Sequence, residues 1–249
     1  MSKIPKIIHQ IFFSGKAAIP DNYLRYHQTV LKKHPLWEHQ FWDEARARKF
    51  MSENYAWFLP TFDAYPYDIQ RRDAIRYFIL YHYGGFYLDM DVECLKPLDD
   101  LLEDFELVLS KLVNFSNAIM GSVPGHPLWP QVFTELEKRK DPPQKTNNFL
   151  QNSMPYYVGY STGPMLLHDC VVAGKFDQID SVRSCPGYIF EPGAPMEENG
   201  KIYKSKITSK SYTIHHMTTS WLDKRNKIIR FLFGLITEPY WFFRSLQKG

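Results

Sequence analysis

Residues 70–91 of the chain read QRRDAIRYFILYHYGGFYLDMD, a helical pattern followed directly by a strand pattern. In the first part, apolar side chains recur at helical spacing, which predicts a helix from about residue 68 that the glycine pair 84–85 ends. The second part, from Phe86 to Val92, is an apolar run carrying two acids, which predicts a buried strand. Strands alternate with helices elsewhere in the chain, and this favours an α/β fold built on a mostly parallel sheet.

Four charged side chains of this stretch fall on defined faces. Asp73 and Arg76 stand three apart on the helix and share one side of it. Asp89 and Asp91 stand two apart on the strand and share one face. Two carboxylates in apolar surroundings repel each other, so burying them requires a cation. Carboxylate oxygens suit Mg²⁺ or Mn²⁺, and such an ion would keep coordination positions for the phosphates of a nucleotide.

Other interpretations of the two acids compete with a metal site. They could be surface acids on a solvated edge strand. A calcium loop is excluded, because Cys94 stands where that loop needs Gly and Asp100 where it needs Glu. A phosphohydrolase of the haloacid dehalogenase type also ends a buried strand with Asp-x-Asp. That family usually places Thr or Val at the position of Glu93, and its motif usually lies near the start of the chain.

Composition narrows the class of protein. The 249 residues can bury a large core without disulfides, and a net charge of +3 is too small for a general nucleic-acid binder. Three widely spaced cysteines (Cys94, Cys170 and Cys185) lack a metal-ligand pattern, which favours a reducing compartment and burial as small apolar residues. We therefore expect a cytoplasmic protein. No apolar run is long enough to predict a membrane-spanning helix.

The C-terminal segment, residues 224–249, differs in charge from the rest. It carries a net +5, whereas residues 1–223 carry −2. Asp223 could cap a helix in which basic residues alternate with apolar ones, and aromatic residues follow it. This pattern predicts either a helical tail lying on an anionic membrane surface or a terminal helix packed over a catalytic domain formed by residues 1–223.

The sequence resembles the family-32 glycosyltransferases, whose sugar-binding region contains an Asp-x-Asp motif. Five blocks carry this resemblance in order. They are IPKIIHQIF at 4–12, the run at 70–91, NAIMGS at 117–122, STGP at 161–164, and a terminal block of His215-His216 and Ser220-Trp221. Within the family, the segments YPYDIQR at 65–71 and MGSVP at 120–124 are most similar to catalytic subunits of inositol phosphorylceramide mannosyltransferases.

The resemblance implies a GT-A fold, a Mn²⁺ or Mg²⁺ ion, and a nucleotide-sugar donor. It assigns the metal to Asp89, Asp91 and one of the two terminal histidines. The histidines end a predicted strand, so their rings point to opposite sides, and we expect His216 to face the site. The resemblance implies that the donor sugar is bound by Asp73, Arg76 and Asn117. The rest of the donor would be bound by Ile8, His9, Gln10, Asp89 and Trp221.

The activity that the resemblance implies is metal-dependent retaining transfer of a hexose. The donor would be GDP-mannose, or a UDP-linked glucose or galactose, and the acceptor a glycolipid, a lipid-linked glycan or a surface-polysaccharide precursor. We expect a same-face displacement in which the leaving diphosphate takes the acceptor proton. The alternatives are a module that binds carbohydrate or nucleotide without turnover, and the phosphohydrolase. Nucleic acid is not expected as a partner.

Overall fold

The structure is a computed structural model that describes residues 3–144, 152–198 and 201–218. Trp221 and the expected tail at 224–249 lie outside these residues, as does the predicted domain boundary at 223. The strands are β1 (Ile7–Ile11), β2 (Glu38–Trp42), β3 (Gly85–Leu88), β4 (Val92–Cys94), β5 (Leu107–Lys111), β6 (Phe115–Ser122), β7 (Val182–Pro186), β8 (Pro195–Glu198), β9 (Lys201–Lys204) and β10 (Thr213–His215). The α-helices are α1 (Asp21–Lys33), α2 (Glu44–Asn54), α3 (Leu59–Ala64), α4 (Asp68–Tyr83), α5 (Leu128–Lys138), α6 (Met154–Ser161), α7 (Pro164–Ala173) and α8 (Gly187–Phe190).

Six strands form a central sheet in the order β2-β1-β3-β6-β5-β7. β1 pairs in parallel with β2 and β3, and β5 pairs in parallel with β7, whereas β6 is antiparallel to both of its neighbours. Five strands therefore run one way and β6 runs the other, which confirms the mostly parallel α/β sheet. The sequence analysis predicted no strand around NAIMGS at 117–122, although all eight residues of β6 are buried.

Helix α4 and strand β3 confirm the unit on which the fold prediction rests. Gly84 ends the helix at φ 65°, and Gly85 begins the strand at φ 86°. Both values lie in the left-handed region, which favours glycine. A Cβ on Gly85 would lie 2.5 Å from the carbonyl oxygen of Ile7, so this backbone contact also requires glycine. The glycine pair thus lets β3 begin directly beside β1.

Side chains pack on both faces of the sheet. One face carries an aromatic-rich core from α2, α3, α4, α5 and α7, in which Phe78 and Phe133 stack at 3.9 Å between ring centroids. The other face carries a smaller core that includes Val30 of α1 and Phe190 of α8. The three cysteines are free and buried, as expected for small apolar residues.

Two short antiparallel pairs lie outside the central sheet. β8 pairs with β9, and β10 pairs with β4 in a register that sets His215 opposite Val92. The second pair brings the end of the described chain beside the two motif aspartates. Within the described ranges, no helix combines the length and apolarity that crossing a bilayer demands.

Candidate functional site

The two motif aspartates lie at the carboxyl end of β3, in the turn that leads to β4. The sequence predicted one strand through Val92, but the strand ends at Leu88. Asp89 then donates its backbone N–H to the carbonyl of Ala118 at 2.9 Å, and Val92 donates to the carbonyl of Asp89 at 3.1 Å. Ligands of α/β sheets bind at this edge, beyond the carboxyl ends of the strands.

His215 joins the two aspartates. One ligand atom from each of Asp89, Asp91 and His215 lies within 4.8 Å of the others. The Nε2 of His215 is 3.3 Å from Oδ1 of Asp91, and its Nδ1 is 2.8 Å from Oε1 of Glu191. Burial opposes the charged form of this imidazole, but the hydrogen bonds and charges of the two carboxylates raise its pKa well above the usual value.

In the choice between the two histidines, the structure differs from the sequence expectation. The ring of His216 stacks on Tyr26 at 4.1 Å between centroids, and its Nε2 lies 3.0 Å from Oε2 of Glu93. The two rings do point to opposite sides, but the pairing of β10 with β4 turns His215 toward the aspartates. The assignment of His216 is therefore corrected to His215.

Asp91 receives several hydrogen bonds. The backbone N–H and the hydroxyl of Thr218 donate to its Oδ2 at 2.8 and 2.9 Å, while His215 lies against its Oδ1. Burial would raise the pKa of Asp91, but these partners hold it well below its usual range. This carboxylate is thus kept ionised, as a metal ligand must be.

Asp73, Arg76 and Asn117 meet beside the aspartates, as the sequence predicted. Nη2 of Arg76 lies 2.8 Å from Oδ1 of Asp73 and 3.4 Å from Oδ1 of Asp89. The side chain of Asn117 donates to Asp73 at 3.3 Å, and its backbone carbonyl accepts from Arg76 at 2.7 Å. Burial raises the pKa of Asp73 to about 7, and the charge of Arg76 opposes this rise.

Asp89 connects the two parts of the site. Tyr87 donates its hydroxyl hydrogen to Oδ1 of Asp89 at 2.5 Å, and the guanidinium of Arg76 lies over the Tyr87 ring at 4.6 Å. Burial raises the pKa of Asp89, and Arg76 counters it. A quarter of the Asp89 side chain remains exposed, whereas Arg76 is almost fully buried. Asp89 therefore keeps surface available to a ligand.

The three residues expected from β1 have different surroundings. Ile8 lies in the smaller core, and His9 is fully buried, with its Nε2 donating to the carbonyl of Gly84 at 2.9 Å. Here the structure differs from the expected donor contacts, because the side chains of Ile8 and His9 have almost no exposed surface. Gln10 is also buried, with Oε1 2.5 Å from Nδ1 of His27, but its amide nitrogen has no partner among the described residues.

Four residues that contact the aspartates or His215 of the site were not predicted from the sequence: Tyr87, Thr162, Glu191 and Thr218. Tyr87 could have been found, because it stands two residues before Asp89 and so shares its side of the extended chain. Thr162 lies in the STGP block at 161–164, and its hydroxyl is 3.3 Å from Oδ2 of Asp73. Glu191 stands in a segment rich in proline and glycine, where no periodicity marks a buried acid.

The arrangement offers two kinds of chemistry at one edge of the sheet. Two carboxylates and one imidazole form a donor set that fits a divalent ion, and the imidazole nitrogen favours Mn²⁺ over Mg²⁺. The neighbouring Asp73, Arg76 and Asn117 offer hydrogen-bond donors and acceptors of the kind that bind sugar hydroxyls. The donor set and the polar group together suit a sugar linked to a diphosphate.

Comparisons with known proteins agree with this geometry. A family model described as the glycosyltransferase sugar-binding region containing the DXD motif matches residues 20–107. Inositol phosphoceramide mannosyltransferase 1 of Schizosaccharomyces pombe is 32% identical over 240 residues, which cover 93% of this chain and 69% of that protein. Inositol phosphoceramide mannosyltransferase 2 of the same yeast is 40% identical over 169 residues, or 65% of this chain and 44% of that protein. This chain thus spans less than half the length of the second relative.

Among solved structures, the PaToxG glycosyltransferase superposes with a TM-score of 0.52 at 18% identity, covering 69% of each chain. At that identity the likeness concerns the fold alone. It confirms the GT-A fold that the sequence resemblance implied, with the Asp-x-Asp turn at the carboxyl end of a central strand.

Proposed function

The chain belongs to the family-32 glycosyltransferases, which carry a sugar-binding region with the DXD motif, and we propose that it is a metal-dependent, retaining mannosyltransferase. GDP-mannose is the proposed donor, and the inositol headgroup of a phosphorylated glycolipid is the proposed acceptor. The yeast relatives are named inositol phosphoceramide mannosyltransferases, which supports mannose as the sugar and an inositol headgroup as the acceptor. A UDP-linked glucose or galactose is the alternative donor.

One observation carries the proposal. Asp89, Asp91 and His215 converge within 4.8 Å and stand directly against the buried Asp73–Arg76 ion pair. A module that only bound a sugar would have no need for this ligand set, because without a diphosphate no divalent ion is required beside the sugar site. A donor that couples a sugar to a diphosphate needs both parts.

Each part has a distinct role in the proposal. Asp89, Asp91 and His215 would hold a divalent ion, which would supply positive charge for the leaving diphosphate. Asp91, already ionised, is the principal ligand. Asp73 and Asn117 hold hydroxyls of the donor sugar, and Arg76 fixes the position of Asp73.

The proposed transfer retains configuration at the anomeric carbon. The bond from C1 of the sugar to the diphosphate oxygen breaks, and a bond from the acceptor oxygen to C1 forms on the same face. The acceptor proton passes to the leaving diphosphate oxygen. A covalent intermediate would need a free carboxylate nucleophile. Asp73 and Asp89 are instead both bound to Arg76, which supports direct same-face transfer.

A donor screen tests the proposal. The full chain is mixed with GDP-mannose, UDP-glucose or UDP-galactose, with and without Mn²⁺, and thermal stability and donor hydrolysis are measured. We expect Mn²⁺-dependent stabilisation and hydrolysis with GDP-mannose, and mannose transfer to vesicles that contain inositol phosphoceramide. Stabilisation without hydrolysis or transfer would favour the binding module. Stabilisation by none of the three donors would overturn the proposal.

The acceptor connects this function to the C-terminal segment. A glycolipid acceptor requires a catalytic domain at a membrane surface, and the basic and aromatic residues at 224–249 suit an anionic one. In this proposal the enzyme is cytoplasmic and bound peripherally to the membrane. Removing residues 224–249 should then reduce binding to anionic vesicles and transfer to lipid, while donor hydrolysis persists. Unchanged vesicle binding with lost hydrolysis would show instead that the segment packs over the domain.

A further inference from the structure

Glu191 is a buried acid that lies outside both sequence motifs. It is 1% exposed and follows α8 directly. Its Oε1 accepts from the hydroxyl of Ser116 at 3.0 Å and from Nδ1 of His215 at 2.8 Å. Burying a carboxylate is costly unless other groups stabilise it, so the contact of Glu191 with His215 indicates a role for this acid.

The backbone holds Glu191 and His215 in fixed relation. Tyr212 donates its N–H to the carbonyl of Ile189 at 2.7 Å, and the Thr213 hydroxyl donates to the carbonyl of Phe190 at 2.6 Å. These bonds join the segment before Glu191 to the strand that carries His215. The contact between the two side chains is therefore built into the packing of α8 against β10.

A carboxylate can only accept a hydrogen bond, so Nδ1 of His215 must carry the hydrogen in this contact. In a neutral imidazole the lone pair then belongs to Nε2, which is the nitrogen that lies 3.3 Å from Asp91. Histidine ligands of metals commonly donate their second nitrogen to a carboxylate, which fixes the ring and its tautomer.

We propose that Glu191 is a positioning residue, which orients His215 so that Nε2 faces the metal site formed with Asp89 and Asp91. The inference rests on the proposed function, because it requires a metal at these aspartates. The neighbouring pair offers a contrast within the same segment. His216 also contacts an acid, Glu93, but both side chains are about one-third exposed, and neither belongs to the three-residue cluster.

The test compares Mn²⁺ affinity among Glu191→Ala, Glu191→Gln and the matched control Glu93→Gln. The Mn²⁺ dissociation constant is measured by electron paramagnetic resonance on the full chain without donor, well below the unfolding temperature. We expect Glu191→Ala to weaken Mn²⁺ binding about 10- to 100-fold. Glu191→Gln should lose roughly threefold, because its amide oxygen can still accept from Nδ1. Glu93→Gln should bind as the wild type does.

A second measurement reads the ring directly. In the chain loaded with diamagnetic Zn²⁺, the ¹⁵N resonances of His215 should show a protonated Nδ1 and a metal-bound Nε2, and Glu191→Ala should lose this preference. If Glu191→Ala lowers the unfolding temperature but keeps wild-type Mn²⁺ affinity, Glu191 is merely structural and the inference is overturned. If it does not fold, Glu191→Met takes its place, because methionine fills the space without a strong acceptor for Nδ1, and wild-type Mn²⁺ affinity and ring resonances in that variant would overturn the inference. Wild-type Mn²⁺ affinity in Asp91→Ala would instead overturn the metal site itself.

Discussion

His9 and His215 are two buried histidines with opposite surroundings. In the core, His9 donates to the carbonyl of Gly84 and accepts from Nε1 of Trp42 at 3.3 Å, with no acid among these partners. Burial accordingly lowers the pKa of His9 to about 3. At the site, His215 lies between Asp91 and Glu191, and its pKa is raised well above the usual value. Burial acts in the same direction on both, so the neighbouring charges decide the outcome.

This difference separates a histidine that stabilises the core from a histidine of the candidate site. A neutral buried imidazole such as His9 satisfies hydrogen bonds inside the core and is closed to ligands. In the proposal, the carboxylates on both sides of His215 orient its ring toward the metal. The same residue type thus serves packing on β1 and, in the proposal, metal binding beyond β3, so changes to the charges around each histidine should separate the two roles.

The largest effect is expected where the charge around His215 is removed. Asp91→Ala should reduce transfer about a thousandfold or more, because it deletes the carboxylate that is held ionised for the metal. It should leave the fold intact. Initial rates of transfer and Mn²⁺-dependent thermal stabilisation measure this, with Asp63→Ala, an exposed acid on α3, as the control. Full activity in Asp91→Ala would contradict the site.

Arg76→Met should destabilise the protein by about 3–5 kcal/mol, because it leaves the buried Asp73 and the partly buried Asp89 without their cation. The double variant Asp73→Asn/Arg76→Met should recover part of this loss. Urea unfolding of both variants measures the effect. Equal stability of Arg76→Met and wild type would mean that charge pairing does not hold this part of the site together.

A pH effect is expected at His9. Its pKa is about 3 in the folded chain and near 6.5 when unfolded, so the unfolded chain binds the extra proton between these values. Stability present above pH 6.5 is therefore lost as the pH falls toward 3. Between pH 7 and 4 the contribution is about 3 kcal/mol. His9→Gln should remove it, and His39→Gln, on the neighbouring strand, should not. Parallel urea titrations at each pH would reveal this, and identical pH profiles for His9→Gln and wild type would refute it.

The smallest expected effect concerns Asp73, a buried carboxylate of the site. Asp73→Asn should weaken binding of the nucleotide sugar about tenfold while leaving affinity for the free nucleoside diphosphate unchanged, since Asp73 faces the sugar hydroxyls in the proposal. Calorimetric titration with GDP-mannose and with GDP measures the split. An equal loss of affinity for both ligands would show that Asp73 contacts the diphosphate and not the sugar.

The sequence predicted those features well that depend on residues close together in the chain. Helix α4 matches its predicted span, since it begins at Asp68 and ends at Tyr83, directly before the glycine pair. The meeting of Asp73 with Arg76 also follows from helical spacing. These features depend on neighbours in the chain, which the sequence displays directly.

The remaining features depend on distant pairing. Alternation along β10 shows that the rings of His215 and His216 point apart, but only the register with β4 decides which one meets Asp91. The family resemblance of residues 4–12 predicted His9 near the donor, whereas Trp42 and Gly84 from other parts of the chain enclose it. The polar residues in β6 likewise concealed a fully buried strand.

The short pair of β4 and β10 has a consequence for how the site opens. Among the described residues, β10 pairs with no strand but β4, and hydrogen bonds from Tyr212 and Thr213 join it to the α8 segment. Opening these contacts would leave the six-stranded sheet intact. Such an opening would carry His215 away while both motif aspartates stayed at the end of β3. In the proposed site, the free energy of pairing β10 with β4 would then contribute to the apparent metal affinity, and a bound ion would stabilise that pairing.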